Sequence, residues 1–183
     1  MTELSLHILD IVHNSVKAQA HLITVDIKED IVANTFGIVI TDDGCGMSEE
    51  FLADVTSPFR TTRTTRRVGM GLSLFQNAAE QTGGTFHISS KLGEGTRVEA
   101  VFVHNSIDRQ PLGDMASTMV SLVSLAPQTE FVYTHCCNGE TFCFDTRQIR
   151  EVLGEVNITE PEILEWIASY IREGLAEIAP EAE

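Results

Sequence analysis

Three polar residues near the start of the chain fall on one helical face. Asp10, Asn14 and Lys17 stand at i, i+4 and i+7 within residues 3–18, whose apolar residues recur at helical spacing. A carboxylate, an amide and an ammonium on a mostly buried helix are costly unless a ligand satisfies them. Magnesium and a triphosphate would do so, since an amide oxygen suits a hard cation and a lysine suits a phosphate. The alternative is a polar stripe that faces solvent.

A second group follows a predicted strand, in residues 42–47 with the sequence DDGCGM. Asp42, fixed at the end of the strand, would accept hydrogen bonds and could select the exocyclic amino group of adenine. Gly44 and Gly46 would let the backbone turn sharply and leave room for a flat ring next to Met47. The alternative is an ordinary Asp-Gly turn between a strand and a helix.

Two further glycine pairs complete an ordered set. Gly69, Met70, Gly71 and Leu72 open a predicted helix, whose first turn offers free N–H groups to an anion. Residues 93–96, with the sequence GEGT, precede a strand, where Thr96 could offer its hydroxyl. Each pair alone is also compatible with a simple turn, and neither fits the Rossmann or phosphate-loop fingerprint. The four stretches in this order predict a nucleotide pocket.

Charge and composition narrow the class of protein. A formal charge of −15 over 183 residues argues against a nucleic-acid partner, which would require a basic face. The concentrated positive charge lies in residues 60–67, where four arginines alternate with threonines; it favours a local anion, or else it is a solvated loop. No apolar run approaches the roughly 20 residues of a membrane span, and no secretory signal is visible. We therefore expect a cytoplasmic protein.

The cysteines support the same expectation. Four unevenly spaced cysteines favour reduced thiols. Cys136 and Cys137 would point to opposite faces of a strand, and no C-x-x-C pair occurs, so zinc is disfavoured.

Periodicity predicts alternating helices and strands. Helices are predicted at residues 3–18, 48–55, 71–81, 114–125, 145–153 and 161–178, and strands at residues 22–28, 36–41, 85–90, 97–103, 130–136 and 140–144. The first helix is expected to bury a stripe formed by Leu6, Leu9, Val12 and Val16, with Ile8 and Ile11 flanking it. Ser48 and Thr159 are expected to cap helices. A break in residues 105–113 divides the chain into residues 1–105 and a small α/β appendage, residues 106–183.

The four stretches resemble the N, G1, G2 and G3 boxes of the Bergerat-fold (GHKL) ATPases, which include gyrase, heat-shock chaperones, histidine kinases and mismatch-repair proteins. Residues 58–62 resemble the box that precedes the ATP lid of histidine kinases, which adds Phe59, Thr61 and Thr62 to the site. The resemblance implies an α/β fold, a two-layer sandwich of a mixed sheet backed by helices. It also implies that ATP lies on the helical side and that residues 60–71 form a mobile lid.

The same resemblance implies roles for single residues. Asn14 would hold Mg²⁺ and the phosphates, Lys17 would contact a phosphate, and Asp42 would bind adenine. Relatives that hydrolyse ATP carry a glutamate as general base where this chain has Asp10. Aspartate is one methylene shorter, and proton transfer is sensitive to such a displacement. The resemblance therefore predicts ATP binding more strongly than fast hydrolysis.

Three functions are open at this point. The first is a protein kinase of the histidine-kinase type, which Lys17, the Phe59 box and the lid at residues 69–72 favour; its phosphoacceptor is expected on a partner protein. The second is an ATP-dependent switch in which a partner reads the closed lid and residues 106–183. The third, a chaperone-like or topoisomerase-like ATPase, is least favoured.

The whole chain, with residues 108–114, also resembles stand-alone bacterial histidine-kinase-like ATP-binding proteins. These proteins are often encoded beside redox genes, which implies a redox or regulatory partner. The final helix would pack on its own domain or on a second copy in a homodimer.

Overall fold

The computed structural model of the protein describes residues 2–56 and 70–179. In chain order the elements are α1 (Leu4–Lys17), β1 (Leu22–Asp30), β2 (Thr35–Asp42), α2 (Glu49–Thr56), α3 (Met70–Gln81), β3 (Thr85–Lys91), β4 (Gly95–Val103), α4 (Met115–Leu125), β5 (Glu130–Cys137), β6 (Glu140–Asp145), α5 (Thr146–Leu153) and α6 (Pro161–Ile178). Each predicted helix and strand is present, with its ends shifted by two residues or fewer.

All of these strands form one sheet in the order β3-β4-β2-β1-β5-β6. The sheet is mixed: β1 and β5 run parallel, and the other neighbouring pairs are antiparallel. Alternate residues of the central strands are buried, as expected of a sheet with one covered face. Along that face α3, α1, α4 and α6 each contact the next. The predicted two-layer α/β sandwich with a mixed sheet is confirmed.

The core lies between this helical layer and the sheet. Its largest fully buried side chains include six aromatic residues on the strands and α3, namely Tyr133, Phe36, Phe75, Phe102, Phe131 and Phe144. Isoleucines of β1 and β2 fill the space beneath α1. Burial of this apolar surface supplies the main driving force for bringing the elements together.

Two predictions about helices are wrong in detail. Val12 is buried as predicted, and so are the flanking Ile8 and Ile11, together with Leu4 and Ser15, whereas Leu6 is 40% exposed and Leu9 and Val16 are only partly buried. The buried face therefore differs from the predicted stripe by a rotation about the helix axis, because α1 packs against α3, α4 and the sheet at the same time. Thr159 does not cap α6: the helix begins after Glu160 without a side-chain cap, and the Thr159 hydroxyl hydrogen-bonds to Asn157 instead.

Other local predictions are confirmed. Ser48 Oγ accepts a hydrogen bond from the Phe51 N–H at 3.3 Å and caps α2. Asn138 and Gly139 both have positive φ, as a tight two-residue hairpin requires.

The segment after β4 connects the two predicted units. β5 and β6 continue the sheet beside β1, so strands from both sides of residue 105 share one hydrogen-bonded surface. The segment also caps α1, because the N–H groups of Leu4 and Ser5 donate to the carbonyls of Pro111 and Leu112 at 2.9 and 2.8 Å. The division into units 1–105 and 106–183 stays a prediction.

Within the described residues no helix is both long enough and apolar enough to cross a membrane. Cys45, Cys136, Cys137 and Cys143 are free thiols.

Candidate functional site

A cavity of about 230 Å³ opens between α1 and the ends of β2 and β4. Residues from α1, the loop after β2, α2, α3 and β4 line it: Ile11, Asn14, Ser15, Lys17, Ala18, Ile40, Asp42, Cys45, Gly46, Met47, Phe51, Val55, Leu72, Thr96 and Val98. The cavity therefore brings together residues from all four glycine-rich or polar stretches of the sequence. Most of its wall is apolar, as is usual for a small-molecule site, with a few polar groups at fixed positions.

Asp42 is the buried acid of this cavity. It is 8% exposed and ends β2. Ser15 Oγ donates to its Oδ2 at 2.5 Å, and the N–H of Gly44 donates to its Oδ1 at 2.9 Å. Two donors on an ionised carboxylate leave further lone pairs free to accept from a ligand. Asp42 can thus act as a fixed, preorganised acceptor.

Asp43, the next residue, has a different environment. Its Oδ1 accepts hydrogen bonds from the backbone N–H groups of His21 and Leu22 at 2.7 and 2.9 Å. Burial raises the pKa of Asp43, but these two hydrogen bonds outweigh it, so the pKa lies below its ordinary value. Asp43 therefore fixes the start of β1, and it is Asp42 that meets the cavity.

The glycines of the site are required by close backbone contacts. A Cβ on Gly46, where φ is +65°, would lie 2.0 Å from the carbonyl oxygen of Lys91. A Cβ on Gly95, where φ is +113°, would lie 2.0 Å from the carbonyl oxygen of Asp42. A Cβ on Gly44 would lie 2.9 Å from Ala18. These residues let the loop after β2 pack against the β3–β4 turn and α1.

A hydroxyl network joins the same two loops. Ser90 Oγ accepts from the N–H of Met47 at 2.8 Å and donates to the carbonyl of Gly95 at 2.9 Å. It also lies 2.8 Å from Thr96 Oγ1. Met47 and Thr96 are thereby held in register on the cavity wall.

The predicted polar face of α1 is divided between two places. Asn14 and Lys17 line the cavity. Asp10 lies against the first turn of α3, where a Cβ on Gly71 would be only 1.9 Å from Asp10 Oδ2. A carboxylate is favoured there, since a helix N-terminus carries unpaired N–H groups and a positive partial charge.

The remaining predicted site residues are distributed around this turn. Leu72 is buried and lines the cavity, Gly71 is buried, and Met70 is 61% exposed. Four predicted site residues lie outside the described residues, together with the arginines of residues 60–67: they are Phe59, Thr61, Thr62 and Gly69.

Sequence reasoning missed several residues of the site. Ser15 is the most important of them. The sequence feature that indicates it is a polar residue on the same helical face as Ile8 and Ile11. Phe51 and Val55 were also missed; they stand at i and i+4 on α2, a helix with no buried residue. An apolar pair on such an exposed helix is the pattern that could have revealed them.

These features define a class of protein: a two-layer α/β sandwich with a cavity between its helices and its sheet. Residues 2–106 match the protein family of histidine kinase-, DNA gyrase B- and HSP90-like ATPases. This match covers more than half of the 183 residues. The chain belongs to that family.

Curated relatives point to the histidine-kinase branch. A putative sensor protein of Shewanella frigidimarina is 36% identical over 91 residues, which are 49% of this chain and 13% of that protein. Sensor histidine kinase ZraS of Escherichia coli O157:H7 is 33% identical over 76 residues, which are 42% of this chain and 16% of that protein. The chain thus corresponds to a sixth or less of these relatives. Its matched part is an ATP-binding domain of the histidine-kinase type.

Solved structures share the fold. The N-terminal domain of a DNA repair protein aligns with a TM-score of 0.55 and 15% identity, over 86% of this chain and 59% of that one. The Aquifex aeolicus MutL ATPase domain complexed with ADP aligns with a TM-score of 0.51 and 15% identity, over 84% of this chain and 69% of that one. Both alignments cover more of this chain than the family match does, so the shared fold extends beyond residue 106.

Proposed function

We propose that the protein binds ATP with magnesium in this cavity and transfers the γ-phosphoryl group to a partner protein. The observation that carries the proposal is the buried carboxylate of Asp42, held by Ser15 and Gly44 on the wall that also contains Asn14 and Lys17. A hydrogen-bond acceptor for a purine, Asp42, and two groups for the phosphates, Asn14 and Lys17, then face one cavity. Membership of an ATPase family supports the same ligand.

Adenine fits the Asp42 end of the cavity. Its exocyclic amino group is a donor, and an ionised carboxylate can only accept. Thr96 is the partner of Asp42 in the β2–β4 register, and the Ser90 network joins Met47 to Thr96, so both residues would border the base. The apolar side chains of Ile40 and Val98 provide a surface for a flat ring.

The phosphates fit the α1 end. Asn14 offers an amide oxygen of the kind that Mg²⁺ accepts, and the exposed ammonium of Lys17 offers charge to a terminal phosphate. The N-terminal turn of α3, with Gly71 and Leu72, offers backbone N–H groups. Asn14 would hold the magnesium, which would supply charge neutralisation at the phosphates when bound. Asp10, at this turn, would orient the acceptor or a water.

A kinase is favoured over a rapid ATPase because Asp10 carries a short side chain and lies against Gly71. The similarity to sensor histidine kinases supports phosphoryl transfer to a protein. The acceptor is then a separate redox or regulatory protein in the cytoplasm.

A second candidate function is an ATP-dependent switch with little or no kinase activity. It is favoured by α2, which has no buried residue although Phe51 and Val55 line the cavity. A bound nucleotide would cover these side chains and fix the helix, and a partner would then recognise the closed form. Residues 106–183 would be the part that the partner contacts, or a second copy would contact them in a homodimer.

Calorimetry tests the shared first step. ATP titrated with magnesium should release heat in the wild type, and Asp42→Asn should weaken binding by at least tenfold, since a hydrogen bond to a charged group contributes about 1.5–3 kcal/mol. Asn14→Ala should abolish the magnesium-dependent part of the affinity. Asp43→Asn is the matched control and should bind ATP within about threefold of the wild type. No heat at millimolar ATP would refute the nucleotide site.

Labelled ATP separates the kinase from the switch. With γ-labelled ATP and partner proteins encoded nearby, label on a partner supports the kinase. Association of a partner that requires ATP and leaves no label supports the switch.

A further inference from the structure

The outer face of α6 carries two aromatic side chains that face solvent. Trp166 is 51% exposed and Tyr170 is 39% exposed. Their rings stack, with centroids 5.2 Å apart and planes 12° apart. Tyr170 is fixed in turn by the ring of Phe142, at 5.4 Å, and by a hydrogen bond from its hydroxyl to the carbonyl of Cys143 at 3.3 Å. The sheet edge thus holds this aromatic pair in one orientation.

Three carboxylates share that face. At 3.6 residues per turn, five exposed positions of α6 fall within about 80° of one another around the helix axis. We call them the α6 stripe: Glu162, Trp166, Tyr170, Glu173 and Glu177. Among the described residues, no cation pairs with the carboxylates of the stripe. Arg172, the one basic residue of α6, lies near Asp114 instead, at 3.7 Å.

Apart from Tyr170, which contacts Phe142 and Cys143, the stripe is not what packs α6 onto the fold. The opposite face of α6 already makes its core contacts through Ile167 and Ile171, both fully buried. Glu173 and Glu177 stand at i and i+4, where like charges destabilise a helix. An exposed aromatic pair among unpaired charges is a local conflict of the kind that marks a binding surface.

We propose that the α6 stripe is a docking surface for an arginine-containing basic segment of a partner protein. A guanidinium is planar, stacks on an indole face and binds carboxylates in a bidentate manner. Charge complementarity selects this occupant, because the stripe is acidic in a chain of formal charge −15. A second copy is disfavoured, since two stripes face to face would oppose their carboxylates. The surface goes beyond the proposed function, because it requires no nucleotide.

Trp166 itself provides the measurement. It is the only tryptophan of the chain, so its emission reports on the stripe alone. The full chain would be titrated with a short glycine–serine peptide that carries spaced arginines, and with the same peptide carrying lysines. We expect a saturable change in emission, weakened by salt, with the arginine peptide bound at least about threefold more tightly.

Paired charge variants separate docking from general attraction. Glu173→Gln with Glu177→Gln should weaken the arginine peptide about tenfold. Glu151→Gln with Glu155→Gln removes the same charge from the exposed α5 region and should change affinity less than about twofold. Equal losses in both double variants, unchanged emission, or equal affinity for both peptides would overturn the proposal.

The remaining alternative is self-association. A concentration-dependent dimer that Trp166→Ala abolishes, measured by sedimentation on the chain alone, would show that a second copy covers the stripe and would overturn the proposal. Calorimetry with ATP on the same variants keeps the two proposals separate, because none of these substitutions touches the cavity.

Discussion

Ser15 helps to fix the orientation of the Asp42 carboxylate in the cavity. Its hydroxyl is buried with Asp42 and donates to one carboxylate oxygen, while the backbone of Gly44 occupies the other. The carboxylate is held between a helix and a strand, so its position depends on the packing of both. A ligand that binds Asp42 therefore uses an orientation that the protein has already fixed.

We expect Ser15→Ala to weaken ATP binding about tenfold, since one hydrogen bond to a charged group would be lost and Asp42 could rotate. Calorimetry measures this affinity, and Ser73→Ala, which removes a half-buried hydroxyl of α3 that does not line the cavity, is the control. Unaltered affinity in Ser15→Ala would show that Gly44 alone orients the acid.

Glu29 joins the two predicted units at the opposite end of β1. His135 Nε2 lies 2.7 Å from one carboxylate oxygen and His104 Nε2 lies 3.1 Å from the other. The pKa of Glu29 is lowered, chiefly by the hydrogen bond with His135; burial opposes this shift, and His104 adds to it. Because the folded pKa lies below the unfolded one, the stabilisation is present above the ordinary pKa of 4.5 and is lost as the pH falls through the folded value.

Glu29→Gln should lower the free energy of unfolding by about 1–3 kcal/mol at pH 7. The difference from the wild type should shrink as the pH falls below the ordinary pKa of 4.5. Urea unfolding at a series of pH values measures it. Glu99→Gln, which removes an exposed ion pair with Arg97, should change stability by less than about 0.5 kcal/mol. A difference that stays constant with pH would contradict this role of Glu29.

At the scale of elements, α1 depends on the chain that follows β4. The residue at its N-cap, Glu3, provides no side-chain cap. The carbonyls of Pro111 and Leu112 instead accept hydrogen bonds from the N–H groups of the first turn. His7, one turn further on, hydrogen-bonds to Gln110 at 3.0 Å. The helix that carries Asn14 and Lys17 is thus positioned by residues far away in sequence.

Gly113→Ala should weaken this cap. Gly113 has a φ of +85°, and a Cβ there would lie 2.3 Å from Glu3 Oε2 and 2.5 Å from Ser5 Oγ. We expect the free energy of unfolding to fall by about 2–4 kcal/mol, because the backbone is strained and the cap is displaced. Gly139→Ala is the matched control, since φ is +94° but no atom lies within 4 Å of the added Cβ, and it should lower the free energy of unfolding by only about 1–2 kcal/mol. Equal losses in thermal unfolding would show that the contact with α1 contributes nothing.

At the scale of the whole molecule, the family match ends at residue 106 but the sheet does not. β5 pairs with β1 along its full length, and α4 packs against α1. The predicted boundary at residues 105 and 106 therefore coincides with the end of the family match, whereas the hydrogen-bonded sheet continues across it.

Truncation after residue 105 tests that boundary. We expect residues 1–105 alone to lose cooperative unfolding, because β1 would become an unprotected edge and α1 would lose both its cap and its contact with α4. Urea unfolding with ATP calorimetry measures both properties. A truncated chain that unfolds cooperatively and still binds ATP would be an independent domain, as the sequence predicts.

The sequence by itself determined the order and type of the helices and strands and the four stretches around the cavity. Those features depend on local spacing: apolar periodicity, capping residues such as Ser48, and glycines such as Gly46 and Gly95 that permit sharp turns. Only the tertiary structure decided that β5 lies beside β1, that Ser15 holds Asp42, and that Asp10 meets Gly71 rather than the cavity wall. Each of these contacts joins residues distant in sequence, and a periodic pattern specifies which face of an element is buried but not which element covers it.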